Sequence, residues 1–385
     1  MLVYLPVYLF SFVGTYFAEI FKNRYQKDKH KSDLFKFILI VFLIFAILSL
    51  LSVTRYGIGR DYFFSDSFQL NNLRDGKPLT IGEPFIVYLM NFIVNHNLPN
   101  QVYFVILGLI TNAFFIGAIF INKDNKFLLR MFVYIFYCLF ISSLNQTRQS
   151  VGIALGMFSL ALIINYFDKW YVHVIAFVIA IGSIFFHYSE IVNIVILLIY
   201  ILFRLFIHKL KMKYLIVICF IIIAISPILL LILKYTIEYI PILNRYSSYI
   251  LGEDNSTETV WKILGSIFMY IVPMFTLVMF LLNFTNEEDY RLKLIFVYLS
   301  ANICFMLIST LLNNLMTADR LRTMVYGVEL FIFPYLFDAF KDKGKTTLTY
   351  RTVTMLLMIC ITLGTYNVAQ IYPYRSIFFK DFYIY

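Results

Sequence analysis

The chain has 385 residues, of which 61% are hydrophobic and 14% charged, with a mean hydropathy of +0.80. A water-soluble domain is nearer half apolar and a quarter charged, so the composition excludes one and marks a membrane protein. The net charge of +10 does not mark a nucleic-acid binder, because the basic residues are scattered over short loops between apolar runs, where they act as topology signals.

The chain opens in an apolar run without a basic n-region or cleavage site, which reads as a retained helix. A membrane-crossing helix needs about 20 apolar residues. On that basis spans are predicted over 1–21, 37–54, 101–121, 127–147, 149–167, 171–187, 189–207, 214–234, 263–283, 292–314, 323–340 and 352–372. The expected fold is an all-α polytopic membrane protein of about twelve transmembrane helices in a single membrane domain. Segment 83–97 is apolar but short, opens on Glu83-Pro84 and closes on Asn95-His96-Asn97, so it is predicted to be re-entrant or to lie in the interface. The many Phe (42) and Tyr (30) residues suit a protein with many interfacial helix ends. Cys138, Cys219, Cys304 and Cys360 are isolated within apolar runs and suggest neither a metal site nor a disulfide framework. No nucleophilic triad, zinc pattern, P-loop or EF-hand is present, so no metal or cofactor is called for.

Orientation follows from Lys22, Arg24, Lys27, Lys29, Lys31 and Lys36 in the loop 22–36, which place that loop in the cytoplasm. Alternation from there puts 15 of 19 lysines inside but only 5 of 13 arginines. Arg55, Arg60, Arg74, Arg148, Arg245, Arg320, Arg322 and Arg375 fall on the outer side. Arginine is thus concentrated where the positive-inside rule does not want it. Its planar fork binds phosphate or carboxylate bidentately, so the external loops 55–100 and 235–262 point to an anionic ligand at the outer leaflet. A lipid-linked diphosphate fits that chemistry.

Five clusters stand out. Arg55-Tyr56-Gly57-Ile58-Gly59-Arg60-Asp61-Tyr62 follows an uncharged span; its bland reading is an arginine snorkelling to headgroups beside a glycine turn. Asn145, Arg148, Gln149 and Gly152 share a helical face, and Gly152 with Gly156 allows another helix to approach closely. His187 and Glu190 are i, i+3 neighbours, in which a carboxylate beside an imidazole would raise its basicity. Arg245-Tyr246-Ser247-Ser248-Tyr249 suits sugar stacking or an interfacial aromatic belt equally. Arg322, Tyr326 and Glu329 share a face, and Glu329 is expected to turn towards the bundle interior.

These motifs, in this order, resemble the EpsG-like group of Wzy-type polysaccharide polymerases. The matching residues are Arg55-x-Gly57-x-Gly59-x-Asp61-Tyr62, Glu83-Pro84, Asn145-Gln146-x-Arg148-Gln149-Ser150, His187-Tyr188-Ser189, Arg245-Tyr246-x-x-Tyr249 and Arg322-x-x-x-Tyr326 leading to Pro334. The likeness covers nearly the whole chain. Two departures are Arg60, where the family usually has a small residue, and Phe63-Phe64, where a tyrosine is common. The Arg320/Arg322 alignment is ambiguous by two residues.

The resemblance implies an architecture similar to the GT-C-type membrane glycosyltransferases, in a bacterial plasma membrane with the active site facing outward. It implies polymerisation of undecaprenyl-diphosphate-linked oligosaccharides, with a flippase and a chain-length regulator as possible partners. Arg148, with Arg320 or Arg322, would bind the diphosphate and stabilise the charge on the leaving group. Arg55 would orient Asp61 or hold a second phosphate. Asp61 or His187 would take the acceptor proton. Arg60, Tyr62, Arg245, Tyr249 and Glu190 would contact the sugars. The rival classes are a lipid-linked oligosaccharide flippase, expected to show two related halves, and an O-antigen ligase-like transferase.

Overall fold

The computed structural model describes residues 3–59, 61–137, 139–236, 270–276, 278–279, 290–311, 327–337, 345–368, 371 and 374–384. The chain forms two compact units, one of Met1–Leu198 with Thr362–Tyr385 and the other of Ile199–Ile361.

In the first unit, α1 (Tyr4–Asp28) and α2 (Lys31–Thr54) pack along each other. Lys29 ends α1 in the left-handed region at φ 57°, and its N–H returns to the Tyr25 carbonyl. A π-helical turn (Tyr62–Asp66) leads into α3 (Ser67–Arg74), followed by α4 (Pro84–Asn95) and α5 (Gln101–Phe120). Next come α6 (Phe127–Phe136), α7 (Leu139–Asn145), α8 (Thr147–Tyr166), α9 (Trp170–Ile184), a 3-10 turn (Tyr188–Glu190) and α10 (Ile191–Leu205). On α4 the apolar residues Ile86, Leu89, Met90 and Ile93 recur at helical spacing. That stripe joins Leu70 of α3, Tyr103, Phe104 and Leu107 of α5, and Val151 and Leu155 of α8 in one buried cluster. The opposite situation holds on α2, where Phe35, Ile38, Leu39, Phe42 and Leu43 are exposed. An apolar helix with its large side chains turned outward is at home in lipid, not water.

In the second unit, α11 (Met212–Thr236) packs against α12 (Tyr290–Leu311), with Lys293 donating to the His208 carbonyl at 3.0 Å. The helices α13 (Gly327–Phe337) and α14 (Lys345–Val368) follow. Glu329 is completely buried, as expected for a carboxylate turned away from lipid.

Six helices are long and apolar enough to cross a membrane: Tyr4–Asp28, Lys31–Thr54, Gln101–Phe120, Thr147–Tyr166, Tyr188–Lys209 and Leu348–Thr365. The pair α6 and α7, bent by 42°, makes a seventh if it is one broken span. Among the described residues the count of about twelve is therefore not reached. Trp170–Ile184 overlaps the predicted span 171–187 as a shorter apolar helix, Met212–Thr236 and Tyr290–Leu311 overlap the predicted spans 214–234 and 292–314 with 25 and 22 residues, and Gly327–Phe337 lies within the predicted span 323–340. The segment 83–97 is short, as predicted: α4 has 12 residues. The loop 235–262 lies almost wholly outside the described residues, and of the predicted span 263–283 only 270–276 and 278–279, which are helical, are described.

The all-α expectation needs one amendment. An antiparallel hairpin of β1 (Tyr374–Ser376) and β2 (Phe379–Ile384) follows α14. Ser376 bridges to Arg55, Tyr56 N–H donates to the Arg375 carbonyl at 3.0 Å, and Ile377 N–H donates to the Thr54 carbonyl at 2.9 Å. The backbone leaving α2 is thereby bound to a strand more than 300 residues away in sequence, a pairing with no local signal.

The same stretch packs backbone to backbone on the end of α7. A β-carbon on Gly59 would lie 2.4 Å from the Leu144 carbonyl oxygen, and Gly59 has φ +88°. Both the conformation and the space demand glycine. Gly76 has a similar φ of +75° but nothing within 4 Å of a β-carbon. Gly59→Ala is expected to lower the thermal stability of the detergent-solubilised protein well beyond Gly76→Ala, which carries the conformational cost alone. Equal melting temperatures for the two variants would refute the close approach.

Candidate active site

The site is built where α7 stops and α8 starts. Helix α7 ends at Asn145, Gln146 takes a non-helical conformation, and α8 begins at Thr147. The face shared by Asn145, Arg148, Gln149 and Gly152 in the sequence is thus split over two helices. Arg148 falls in the first turn of α8. A cation is poorly placed there, since the helix N-terminus carries partial positive charge, so Arg148 needs anions from elsewhere.

Two carboxylates supply them. Arg148 Nε lies 3.1 Å from Asp66 Oδ1, and Nη1 lies 3.4 Å from Glu83 Oε2. Nη2 donates to Ser65 Oγ at 3.0 Å. The Asp66 contact is an ion pair rather than an aligned hydrogen bond, since Oδ1 has no hydrogen-bond donor in proper geometry. The guanidinium carries five N–H groups and meets these three oxygens among the described residues, while its side chain remains 19% exposed. It therefore has donors to offer an incoming anion.

Glu83 reaches this point by a route the sequence conceals. It precedes Pro84 at the start of α4, a position suited to capping, yet its side chain makes no capping bond. The loop before it is pinned to the end of α9: Phe85 N–H donates to the Phe185 carbonyl at 3.2 Å, Tyr188 Oη donates to the Gly82 carbonyl, and Phe85 packs on Phe186 at 4.4 Å between ring centres. These contacts bring Glu83 Oε1 to 3.1 Å from His187 Nδ1. One carboxylate thus spans an arginine and a histidine.

Asp66 and Glu83 differ in environment. Burial pushes the Asp66 carboxyl up to about 6, aided by the charge of Asp61 and opposed by Arg148 and Arg55. Burial also acts to raise Glu83, but the hydrogen bond with His187 and the charge of Arg148 outweigh it and hold Glu83 below the usual value.

The other predicted residues are placed as follows. Arg55 is buried, with Nη1 donating to the Ser143 carbonyl at 3.0 Å, Nη2 to Thr147 Oγ1 at 2.6 Å, and its guanidinium over the Phe104 ring at 5.3 Å. It fastens the residue before Arg148, and no bond joins it to Asp61 in this geometry. Asp61 lies beside the break, its N–H directed at Asn145 Oδ1 at 3.4 Å. Tyr62 is buried, stacked on Phe104 at 4.1 Å with its hydroxyl donating to Gln101 Oε1. Glu190 is completely buried and accepts from Asn193 Nδ2 at 2.8 Å, packed so closely on α8 that a β-carbon at Gly152 would lie 2.2 Å from its Cγ. The carboxylate hydrogen-bonded to His187 is accordingly Glu83, although Glu190 is its near neighbour in sequence. Arg60, Arg245, Tyr249, Arg320 and Arg322 lie outside the described residues.

Sequence reasoning missed Asp66, Ser65 and the role of Glu83. Asp66 had no apolar span or arginine beside it to draw notice, and Glu83 was noted only as the opening of a short helix.

Two outcomes follow from this arrangement. A folded-state value of about 6 against an ordinary 3.8 means that folding favours protonated Asp66. Its contribution to stability is present below about 3.8 and is lost as pH rises through about 6. Asp66→Asn is expected to remove that loss, flattening the fall in melting temperature across this window; an unchanged slope would refute the assignment. Separately, Gly152→Ala should displace Glu190 and lower the melting temperature by several degrees, more than the same change at Gly182, where a β-carbon would meet nothing within 4 Å.

No curated protein and no solved structure matches the chain. The EpsG family does match it, over residues 38–376, which takes in every described element of the site. The chain is a membrane protein that belongs to the EpsG family, a Wzy-like family of polysaccharide polymerases.

Proposed function

We propose that the protein transfers a growing glycan from undecaprenyl diphosphate to a hydroxyl of an incoming lipid-linked oligosaccharide repeat, on the outer face of the plasma membrane. The observation that carries this reading is Arg148 itself: a guanidinium gripped by Asp66, Glu83 and Ser65, yet partly exposed at the start of a membrane-length helix. A fixed cation in a water-poor setting stabilises the charge that develops on a departing diphosphate, and needs no reorganisation to do so. The bond from the donor sugar's anomeric carbon to the diphosphate oxygen breaks, its electron pair leaving with the phosphate. The acceptor oxygen forms the new glycosidic bond, and its proton passes to a base for which Asp61 and His187 are the candidates. Arg320 or Arg322 would add a second cation, with Arg60, Arg245 and Tyr249 as candidate sugar contacts and Arg55 as a brace for the α8 start, whereas Tyr62 and Glu190 are buried in the packing around the site.

The test is the host's surface polysaccharide after deletion of the gene, complemented with wild type, Arg148→Ala or Arg148→Lys. Wild type should restore the long-chain ladder. Arg148→Ala, at equal membrane abundance, should leave single repeats, with polymerisation reduced by about two orders of magnitude or more. Arg148→Lys should rescue only weakly, because an ammonium offers no planar fork. A full ladder with Arg148→Ala would sink the assignment of this residue. Loss of even single repeats on deletion would place the protein at an earlier step.

A further inference from the structure

On the reading of the protein as a polymerase, we infer that His187 is the general base and that Glu83 is the positioning residue that makes it one. The hydrogen bond between His187 Nδ1 and Glu83 Oε1 at 3.1 Å fixes the tautomer. With the Nδ1 proton donated to a carboxylate, the ring lone pair resides on Nε2, the nitrogen able to accept a proton. As Nε2 takes the acceptor hydroxyl proton, the charge formed on the imidazolium sits against Glu83, which stabilises it. Among the described residues Asp61 shows no comparable arrangement: its hydrogen bond, to Asn145 Oδ1, is made by the backbone N–H and not by the carboxylate.

The second feature is that the carboxylate is shared. Glu83 Oε2 contacts Arg148 Nη1 at 3.4 Å, the longest of the three polar contacts that Arg148 makes among the described residues. A diphosphate oxygen that draws Arg148 towards itself competes with Glu83 first, since Asp66 and Ser65 hold the other guanidinium nitrogens. Glu83 is then left to His187 alone. Binding of the anionic donor and strengthening of the base are coupled through one side chain, at the moment when the acceptor must be deprotonated. The position of Glu83 makes this possible: it is 7% exposed and held by loop contacts from Gly82 and Phe85 rather than by a helix-capping bond.

Among the described residues the charged and titratable groups around His187 include Glu83 ahead of α4, Arg148 on α8, Asp66, Asp61 and Tyr103 of α5 around that arginine, and Tyr188 and Glu190 on its own segment. A carboxylate partner favours the protonated ring, so its removal shifts deprotonation of His187 to lower pH. Full-length protein in reconstituted vesicles would be given lipid-diphosphate-linked repeats extracted from the deletion strain, and chain elongation followed from pH 5 to 8. Wild type should show an acidic limb that His187→Gln abolishes with most of the rate. Glu83→Gln should lower kcat/KM about tenfold or more at neutral pH and move that limb down by about one pH unit. Glu83→Asp, which keeps the charge, should hold the limb near its original place, and Asp66→Asn should retain a limb. If Glu83→Gln lowers the rate evenly at every pH, or if Asp61→Asn moves the limb instead, the inference is overturned while the polymerase reading stands. If wild type does not elongate the repeats at all, the polymerase reading falls and this one with it.

Discussion

The candidate site rests on the need to compensate one positive charge. Arg148 stands in the first turn of a membrane-length helix, where the helix dipole opposes it and bulk water is largely excluded. Such a charge persists only if anions come to it, and neither helix that meets at the break carries a nearby acid. Asp66 and Glu83 arrive from two separate segments. The short helices α3 and α4 are anchored where they are by the apolar stripe of α4 against α5 and α8, which fixes the elements that carry both carboxylates. Packing and electrostatics depend on each other here: the buried stripe positions the acids, and the acids make the arginine tolerable.

The surrounding contacts serve the same placement. Arg55 leaves α2 and donates to Ser143 and Thr147, so it ties the end of α7 to the start of α8 just before Arg148. Gln101 accepts from Tyr62 and donates to the carbonyls of Val53 and Arg55, joining the same loop to α5. The C-terminal hairpin closes the set by pairing with Arg55 and Tyr56. On the other side, Glu190 and Asn193 fill the space left by Gly152 and Gly156, allowing the segment that carries His187 to sit tightly on α8. Small residues at such a contact let helices approach closely enough for polar groups to bond across it.

This arrangement separates roles that the arginine-rich sequence merges. Arg55 and Arg148 are both arginines at the ends of apolar helices near glycines, but one is buried among protein acceptors and the other keeps exposed surface. Burial with local acceptors makes a brace; partial exposure with unspent donors makes a ligand site. In the proposed reaction the second kind is the useful one.

The sequence alone determined that the protein belongs in a membrane, because an apolar fraction of this size has no other solvent. It determined that α4 is short, and it singled out Arg148 and His187, because an ionisable group beside an apolar run stands out without any structure. The order of motifs was enough to indicate the EpsG family, which the match over residues 38–376 bears out. It did not show the helix break at Tyr137 inside the predicted span 127–147, which leaves composition unchanged, although it did place a boundary beside Arg148, close to the break at Gln146. Nor did it reveal the Glu83 bond to His187 or the strand against Arg55. Helical spacing favoured Glu190 for His187, three residues away, whereas the turn at Tyr188–Glu190 buries that carboxylate on α8 and a loop contact brings in Glu83 from 104 residues away. Periodicity reports which residues share one helix; only the tertiary structure decides which side chains from different segments meet, because that is set by packing across the whole unit.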